Sequence, residues 1–322
     1  MISLEKLLTE RAGFDLPASP LQLAIARAAD GAPIGDDLSD EEVVRHFGCA
    51  RSAIGLVAPV LVAVVAGVRG GKSLLAACAA VRGVLSADLS KLKIHEVPRF
   101  AIVAPTVDNA GATFRLLVGS VQTSPKLRRL IVGEPTADTL TIRRPDGRVV
   151  EIVVVAASRG AVTLRSRWLV GFVLDEVALF GSEPSGAVIN SEELLRAAET
   201  RLVPGAQGWL ISSPFGPQGL LWELYKAHFG DPGRVLVVHA PTRAMNPSFP
   251  AEQVERLRGR QPDVAAREYD AQWIDAETTL LNGIVIDRNT RKGPRVLPPE
   301  PGHVYYAAVD PATRGNAFTL VL

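Results

Sequence analysis

The chain has 322 residues with 35 Lys and Arg against 34 Asp and Glu, a net charge of +1, so no global positive field marks it for nucleic acid, although a local groove could still be basic. Hydrophobic residues at 47% and charged residues at 21% exclude wholesale disorder and a collagen-like chain, and two cysteines, Cys49 and Cys78, exclude a disulfide framework or a four-cysteine zinc site and fit a reducing cytosol. The longest apolar run, Ala53 to Gly67, contains Pro59 and falls short of the ~20 residues of a spanning helix, while Glu5, Lys6, Glu10 and Arg11 occupy the stretch where a secretion signal needs an apolar core; a cytoplasmic protein with no membrane span is expected.

In chain order, the first 55 residues read as polar and apolar mixtures: a short helix at 3–10, a helix from about 20 to 29, and a capped helix opening at Asp40. They are expected as satellites in front of a core. From Pro59 onward, apolar β-rich runs alternate with helical patterns. VLVAVVAGV (60–68) precedes a helix from Lys72, and RFAIVAP (99–105) precedes a helix to about 120. WLVGFVLDE (168–176), a helix at 191–202, GWLISS (208–213), a helix at 219–229 and RVLVVHAP (234–241) continue the alternation. Such strands with helical crossovers predict an α/β fold, a mostly parallel sheet with helices on both faces. Two runs, TLTIRR and GRVVEIVVVAA, flank the turn sequence Arg144-Pro145-Asp146-Gly147 and predict an added antiparallel hairpin. Residues 276–303 are Pro-rich and weakly periodic, which predicts a linker, and HVYYAAVD (303–310) then starts a new strand.

Ala66-Gly67-Val68-Arg69-Gly70-Gly71-Lys72-Ser73 follows an apolar run and opens a helix. It matches the Walker A pattern of a P-loop NTPase except for Ala66 in place of the first glycine. The glycines of such a loop let backbone N–H groups converge on phosphate oxygens; Lys72 would reach the β- and γ-phosphates and Ser73 would ligate Mg²⁺. The alternative is a Gly-rich turn with a solvated lysine. Phe172-Val173-Leu174-Asp175-Glu176 ends an apolar strand in two carboxylates, the Walker B arrangement. Strand alternation is expected to aim them in different directions, Asp175 towards the metal shell and Glu176 towards the water attacking the γ-phosphate. Ser212 and Ser213, ending another strand at the same sheet edge, suit a γ-phosphate relay, with a simple Ser-Pro turn as the alternative. ATP and Mg²⁺ are therefore the expected cofactors. His95, His228, His239 and His303 show no metal-binding spacing, Cys78 reads as core, and Trp222 and Tyr225 have helical spacing suited to packing.

The ordered set of VRGGKS (68–73), FAIVAPTVDNAGATF (100–114), VLDEVALF (173–180), LISSPFG (210–216), APTRAMNP (240–247) and AAREYDAQW (265–273) resembles the large terminase subunit of tailed double-stranded DNA phages. The resemblance implies a P-loop ATPase domain over 1–275 with a helical lead-in at 1–55, a linker at 276–303, and, at 304–322, the first strand or strands of a truncated RNase H-like nuclease domain. It implies an ATP-hydrolysing motor that moves viral DNA into a procapsid. Double-stranded DNA, the portal protein and the small terminase subunit are the implied partners, and a homo-oligomeric ring on the portal is the implied assembly. By the same resemblance Gln22 would read adenine, Asp310 would be the first nuclease metal ligand, and Arg165 in LRSRW would be an arginine finger acting on a neighbouring subunit, with Arg159, Arg167 and Arg69 as alternatives. Many terminases place a loop arginine four residues before the lysine, where this chain has Val68, and Ser166 stands where the family often has glycine. No acid follows Asp310 before Leu322, so nuclease activity is not expected of this stretch. A helicase-like P-loop ATPase and a metal-dependent DNA nuclease are the competing readings.

Overall fold

The computed structural model describes residues 2–180, 190–274, 301, 302, 304, 308–310 and 319–321. Seven strands, β1 (Leu61–Ala66), β2 (Arg99–Ala104), β3 (Thr139–Arg143), β4 (Val149–Ala156), β5 (Leu169–Asp175), β6 (Leu202–Ser212) and β7 (Val235–Ala240), form one sheet in the order β3-β4-β2-β5-β6-β1-β7. All neighbours pair parallel except β3 and β4, which form the expected antiparallel hairpin. Strand β1 is apolar at every position and β5 at all but its terminal Asp175 because both faces are covered: every residue of β1 and of β5 is buried. Along β1, Val62, Val64 and Ala66 join one core, whereas Leu61, Ala63 and Val65 join the other.

The first core is closed by α1 (Leu4–Thr9), α2 (Pro20–Ala29), α3 (Asp40–Phe47), α4 (Lys72–Ser86) and α5 (Val107–Thr123); the second by α6 (Ala157–Arg165), α7 (Ser191–Glu199) and α8 (Gly219–His228). Capping boxes start α2 (Ser19 with Gln22) and α3 (Ser39 with Glu42), satisfying N–H groups that a helix start leaves open. The lead-in helices are not satellites, as the sequence suggested. Leu4, Leu8, Leu21 and Ile25 are buried with the sheet residues, and a buried polar chain pins them there. Arg82 of α4 pairs with Asp30 at 3.1 Å and donates to Gln207 of β6 at 3.0 Å, and Gln207 donates in turn to Ala29 O and Pro59 O at 2.6 and 2.7 Å.

Glycine is required where α4 crosses the sheet. A Cβ on Gly83 would stand 2.8 Å from Val170 O and 3.1 Å from the Phe100 ring, so the bare backbone sets how closely α4 seats on β5 and β2. Beyond β7 the chain forms α9 (Thr242–Met245), α10 (Ala251–Arg260) and α11 (Pro262–Glu268), none of which is among the helices expected from the sequence. Trp273 then joins Trp222, Tyr225 and Phe229 in an aromatic cluster over His239, so these rings pack as expected. The linker at 276–303 lies almost wholly outside the described residues. Past it, β8 (Ala308–Asp310) pairs antiparallel with β9 (Thr319–Val321). Among the described residues no helix is long and apolar enough to cross a membrane.

Candidate active site

The connection leaving β1 runs towards β2, whereas that leaving β6 runs to β7 on the opposite side. Adjacent parallel strands whose connections part in this way open a crevice at their carboxyl ends. The loop 67–71 lies there. Ala66 is still extended strand, paired with Ala240, which explains why alanine fits the first position of the Walker A pattern. Arg69 and Gly71 are left-handed, with φ of 61° and 86°, and this alternation turns successive N–H groups inward as an anion nest. A Cβ on Gly67 would collide with Thr242 Oγ1 at 2.3 Å and Tyr269 O at 2.7 Å.

Lys72 opens α4 and is buried. Its three ammonium protons reach Ala66 O at 2.8 Å, Gly67 O at 3.0 Å and Ser213 Oγ at 3.0 Å. Burial pushes its pKa down, opposed by the negative charges of Glu176, Asp175 and Glu268. Asp175, the last residue of β5, is buried, and its pKa is pushed up to about 6 by desolvation. The hydroxyl of Thr113 on α5, donating to Oδ2 at 2.6 Å, opposes that rise; Glu176 adds to it and Lys72 again opposes it.

Glu176 does not continue the strand. Its φ of 52° turns the chain, so the two carboxylates part by a left-handed kink and not by strand alternation. Glu176 Oε2 accepts from Ser212 Oγ at 3.1 Å, and that hydroxyl also lies 2.8 Å from Ser213 O while accepting from Ala178 N at 3.3 Å. Strand β6 lies between β1 and β5, so its last residue, Ser212, and the next, Ser213, divide the site: Ser213 touches the lysine and Ser212 the glutamate.

Gln22 reaches the loop through its amide. Its Oε1 accepts from Ser19 N at 3.1 Å and its Nε2 donates to Gly70 O at 3.1 Å, so both ends of the amide are engaged. Arg165 is not gathered with the other residues. Helix α6 starts beside the carboxyl edge, after Ala156 paired with Ala104, and runs nine residues, about 13 Å, towards the amino edge. Arg165 there is exposed and pairs with Glu193 at 3.1 Å, and Arg167 reaches Val97 O. The side chain of Arg159, on the first turn of α6, lies outside the described residues, as does that of Asp310. Three residues carried no assigned role in the sequence and touch the site: Thr113, Thr242 and Asn246. All sit in segments the family resemblance uses, but nothing local in them announces the contact.

Among the described residues no cluster of His, Cys, Asp and Glu forms an all-protein metal cage. The donor set fits Mg²⁺ with a nucleoside triphosphate, because that ion is held through one or two carboxylates together with substrate phosphates. A cavity of about 750 Å³ between α1, the end of α4 and Leu127–Leu130 contains none of these residues and lies some 22 Å along α4 from the loop.

No protein-family model and no curated protein matches the chain. Solved structures do. The ATPase domain of the Thermus phage P74-26 large terminase is 20% identical over 69% of this chain and 92% of that one, with a TM-score of 0.52. The fold is that of large terminase ATPases. The large terminase of a thermophilic bacteriophage, in complex with ADP, covers 92% of this chain at 20% identity and a TM-score of 0.54. That of bacteriophage HK97 covers 85% at 17% identity and a TM-score of 0.55. The chain spans 63% and 56% of the lengths of these two proteins.

Proposed function

We propose that the chain is the ATPase part of a large terminase, an ATP-hydrolysing motor that drives viral double-stranded DNA into a procapsid. The observation that carries this reading is the convergence of Lys72, the Asp175–Glu176 pair and the Ser212–Ser213 pair at the carboxyl ends of three neighbouring parallel strands, on a fold shared with large terminase ATPases.

The N–H groups of Arg69, Gly71, Lys72 and Ser73 make no backbone bond within the loop among the described residues and would grip phosphate oxygens, with Gly67, Val68 and Gly70 shaping the turn. Lys72 exchanges its carbonyl partners for the β- and γ-phosphates. Ser73 and Asp175 would hold Mg²⁺, which when bound neutralises charge on those phosphates. Glu176, oriented by Ser212, takes the proton of the attacking water, and Ser213, on the lysine, senses whether the γ-phosphate is present. Arg165, remote from its own Lys72, would act only on a neighbouring subunit of a ring.

Duplex DNA, portal protein and small terminase subunit are the partners of this reading, and the host cytoplasm its location. Contacts to DNA would go to phosphates, because a packaging motor must ignore sequence. Residues 1–275 would form the ATPase domain, 276–303 a linker and 304–322 the start of an RNase H-like domain with Asp310 as a metal ligand. The antiparallel pairing of β8 with β9 is consistent with such a start.

Lys72→Ala should abolish ATP hydrolysis, and Glu176→Gln should bind ATP yet fail to turn it over. With portal, small subunit and procapsids the unsubstituted protein should package duplex DNA. A Glu176→Gln protein hydrolysing at the normal rate would remove the base assignment. Strand separation without packaging would favour the helicase-like reading.

A further inference from the structure

Every carbonyl of the phosphate loop is engaged. Ala66 O and Gly67 O accept from Lys72, Val68 O accepts from Thr242 Oγ1 at 2.7 Å, and Arg69 O accepts from Asn246 Nδ2 at 3.1 Å. Gly70 O accepts from Gln22 Nε2 at 3.1 Å, and Gly71 O from the N–H groups of Leu74 and Leu75. The lysine must leave when phosphate arrives, and the helix bonds belong to α4 itself. Three side chains from outside the loop are left, and each has its orientation fixed by a second contact. Thr242 is fully buried, with its N–H on Tyr269 O at 2.7 Å; the Asn246 Oδ1 accepts from Ser248 at 2.7 Å; the Gln22 Oε1 accepts from Ser19 N.

We propose that Gln22, Thr242 and Asn246 form a bracket that holds the loop carbonyls outward and so keeps the N–H groups aimed at phosphate before nucleotide binds, with Thr242 its principal positioning residue. A peptide group that presents its carbonyl to one side presents its N–H to the other. Three consecutive carbonyls, of Val68, Arg69 and Gly70, are held outward by these side chains. Arg69 needs such restraint most, because a non-glycine residue in the left-handed region returns to the right-handed one unless its surroundings oppose it. The close approach of Thr242 also accounts for glycine at 67, where a Cβ would displace the hydroxyl. The inference rests on the nucleotide-binding reading above and adds to it residues that touch no phosphate.

The test is calorimetric titration with Mg·ADP at a temperature well below melting, which reads loop geometry without chemistry. Thr242→Val, which keeps the shape and loses the hydroxyl, should weaken ADP binding about tenfold, and Thr242→Ser should restore it to within about twofold. Asn246→Ala, at a half-buried position that leaves the core intact, should weaken it severalfold and guards against a Thr242 variant that fails to fold. Val237→Ala is the control for mere destabilisation: it loosens the neighbouring strand, touches no loop carbonyl, and should lower the melting temperature with ADP binding unchanged. Wild-type ADP affinity in both Thr242→Val and Asn246→Ala would overturn the inference, as would equal weakening by Val237→Ala. Absence of Mg·ADP binding by the unsubstituted chain would instead overturn the nucleotide reading beneath it.

Discussion

Asp175 is held at an energetic disadvantage, and its removal should stabilise the nucleotide-free protein. Burial raises its pKa from the ordinary 3.8 to about 6 despite the Thr113 hydroxyl and the Lys72 charge, with Glu176 adding to the rise. At about 1.4 kcal/mol per tenfold change in proton affinity, the ionised form at neutral pH opposes folding by about 3 kcal/mol. The sign follows from proton counts: between pH 3.8 and about 6 the folded chain binds more protons than the unfolded one, so stability falls as pH rises through that window. Asp175→Asn keeps an oxygen to accept from Thr113 and removes the charge. Its melting temperature without nucleotide, at pH 8, should exceed wild type by about 4–6 °C, at roughly 2 °C per kcal/mol for a chain of this size. The advantage should shrink as pH falls from 6 towards 4. The variant should lose ATP hydrolysis, and the wild type should gain more stability from Mg·ATP, because bound cation supplies the charge that burial withholds. An Asn variant melting at or below wild type at pH 8, or keeping its full advantage at pH 4, would refute the reasoning.

Ser212→Ala removes a hydrogen bond to a carboxylate, worth about 1.5–3 kcal/mol, and should slow ATP turnover by about 10- to 100-fold with ADP affinity within about twofold of wild type, measured by steady-state hydrolysis and titration. Gly83→Ala gains up to about 1 kcal/mol of helix propensity but drives a methyl against Val170 O and Phe100, so denaturant unfolding should show net destabilisation of about 1–3 kcal/mol. Arg165→Ala, far from its own Lys72, should leave ADP affinity unchanged; mixed with Glu176→Ala it should recover hydrolysis where an intact Arg165 meets an intact Glu176 across an interface, and no recovery returns the arginine role to Arg69.

The sheet was legible because β1 is wholly apolar and β2, β5 and β7 are apolar but for Arg99, Asp175 and His239, the pattern of strands covered by helices on both faces. Helices α10 and α11 were not, because they bury only Val254 and Ala265 and so carry no apolar stripe to read. Helix α6, with Gly160, Val162 and Thr163 in nine residues, lacks propensity and owes its form to packing against the second core. Strand β6 starts at Leu202, six residues before the run that suggested it, because Pro204 and Gly205 mask its beginning. Within the site, Lys72, Asp175 and Glu176 announce themselves through local spacing. Thr113, Thr242 and Asn246 meet their partners across 62, 174 and 177 residues, and only the fold brings such pairs together. Gln22 shows the converse: an amide suited to adenine is equally suited to the helix cap and the loop carbonyl that it meets here.

The position of β6 makes lysine and glutamate interdependent. With β6 between β1 and β5, two consecutive serines at its end touch the lysine and the glutamate, one each. Lys72 spends one of its three protons on Ser213, and the single proton of the Ser212 hydroxyl has two acceptors within reach, Glu176 Oε2 at 3.1 Å and Ser213 O at 2.8 Å. One proton cannot serve both acceptors fully. In the proposed function, phosphate would draw Lys72 away from Ser213 Oγ, while Ser212 keeps its contact with Glu176 Oε2. A carboxylate that gains a donor is better fixed in direction but a weaker base, so the serine pair trades alignment of the water against its activation. Under the proposed function that trade would favour orientation, with Glu176 fixed towards the in-line water while Lys72 and a bound Mg²⁺ would supply electrostatic stabilisation.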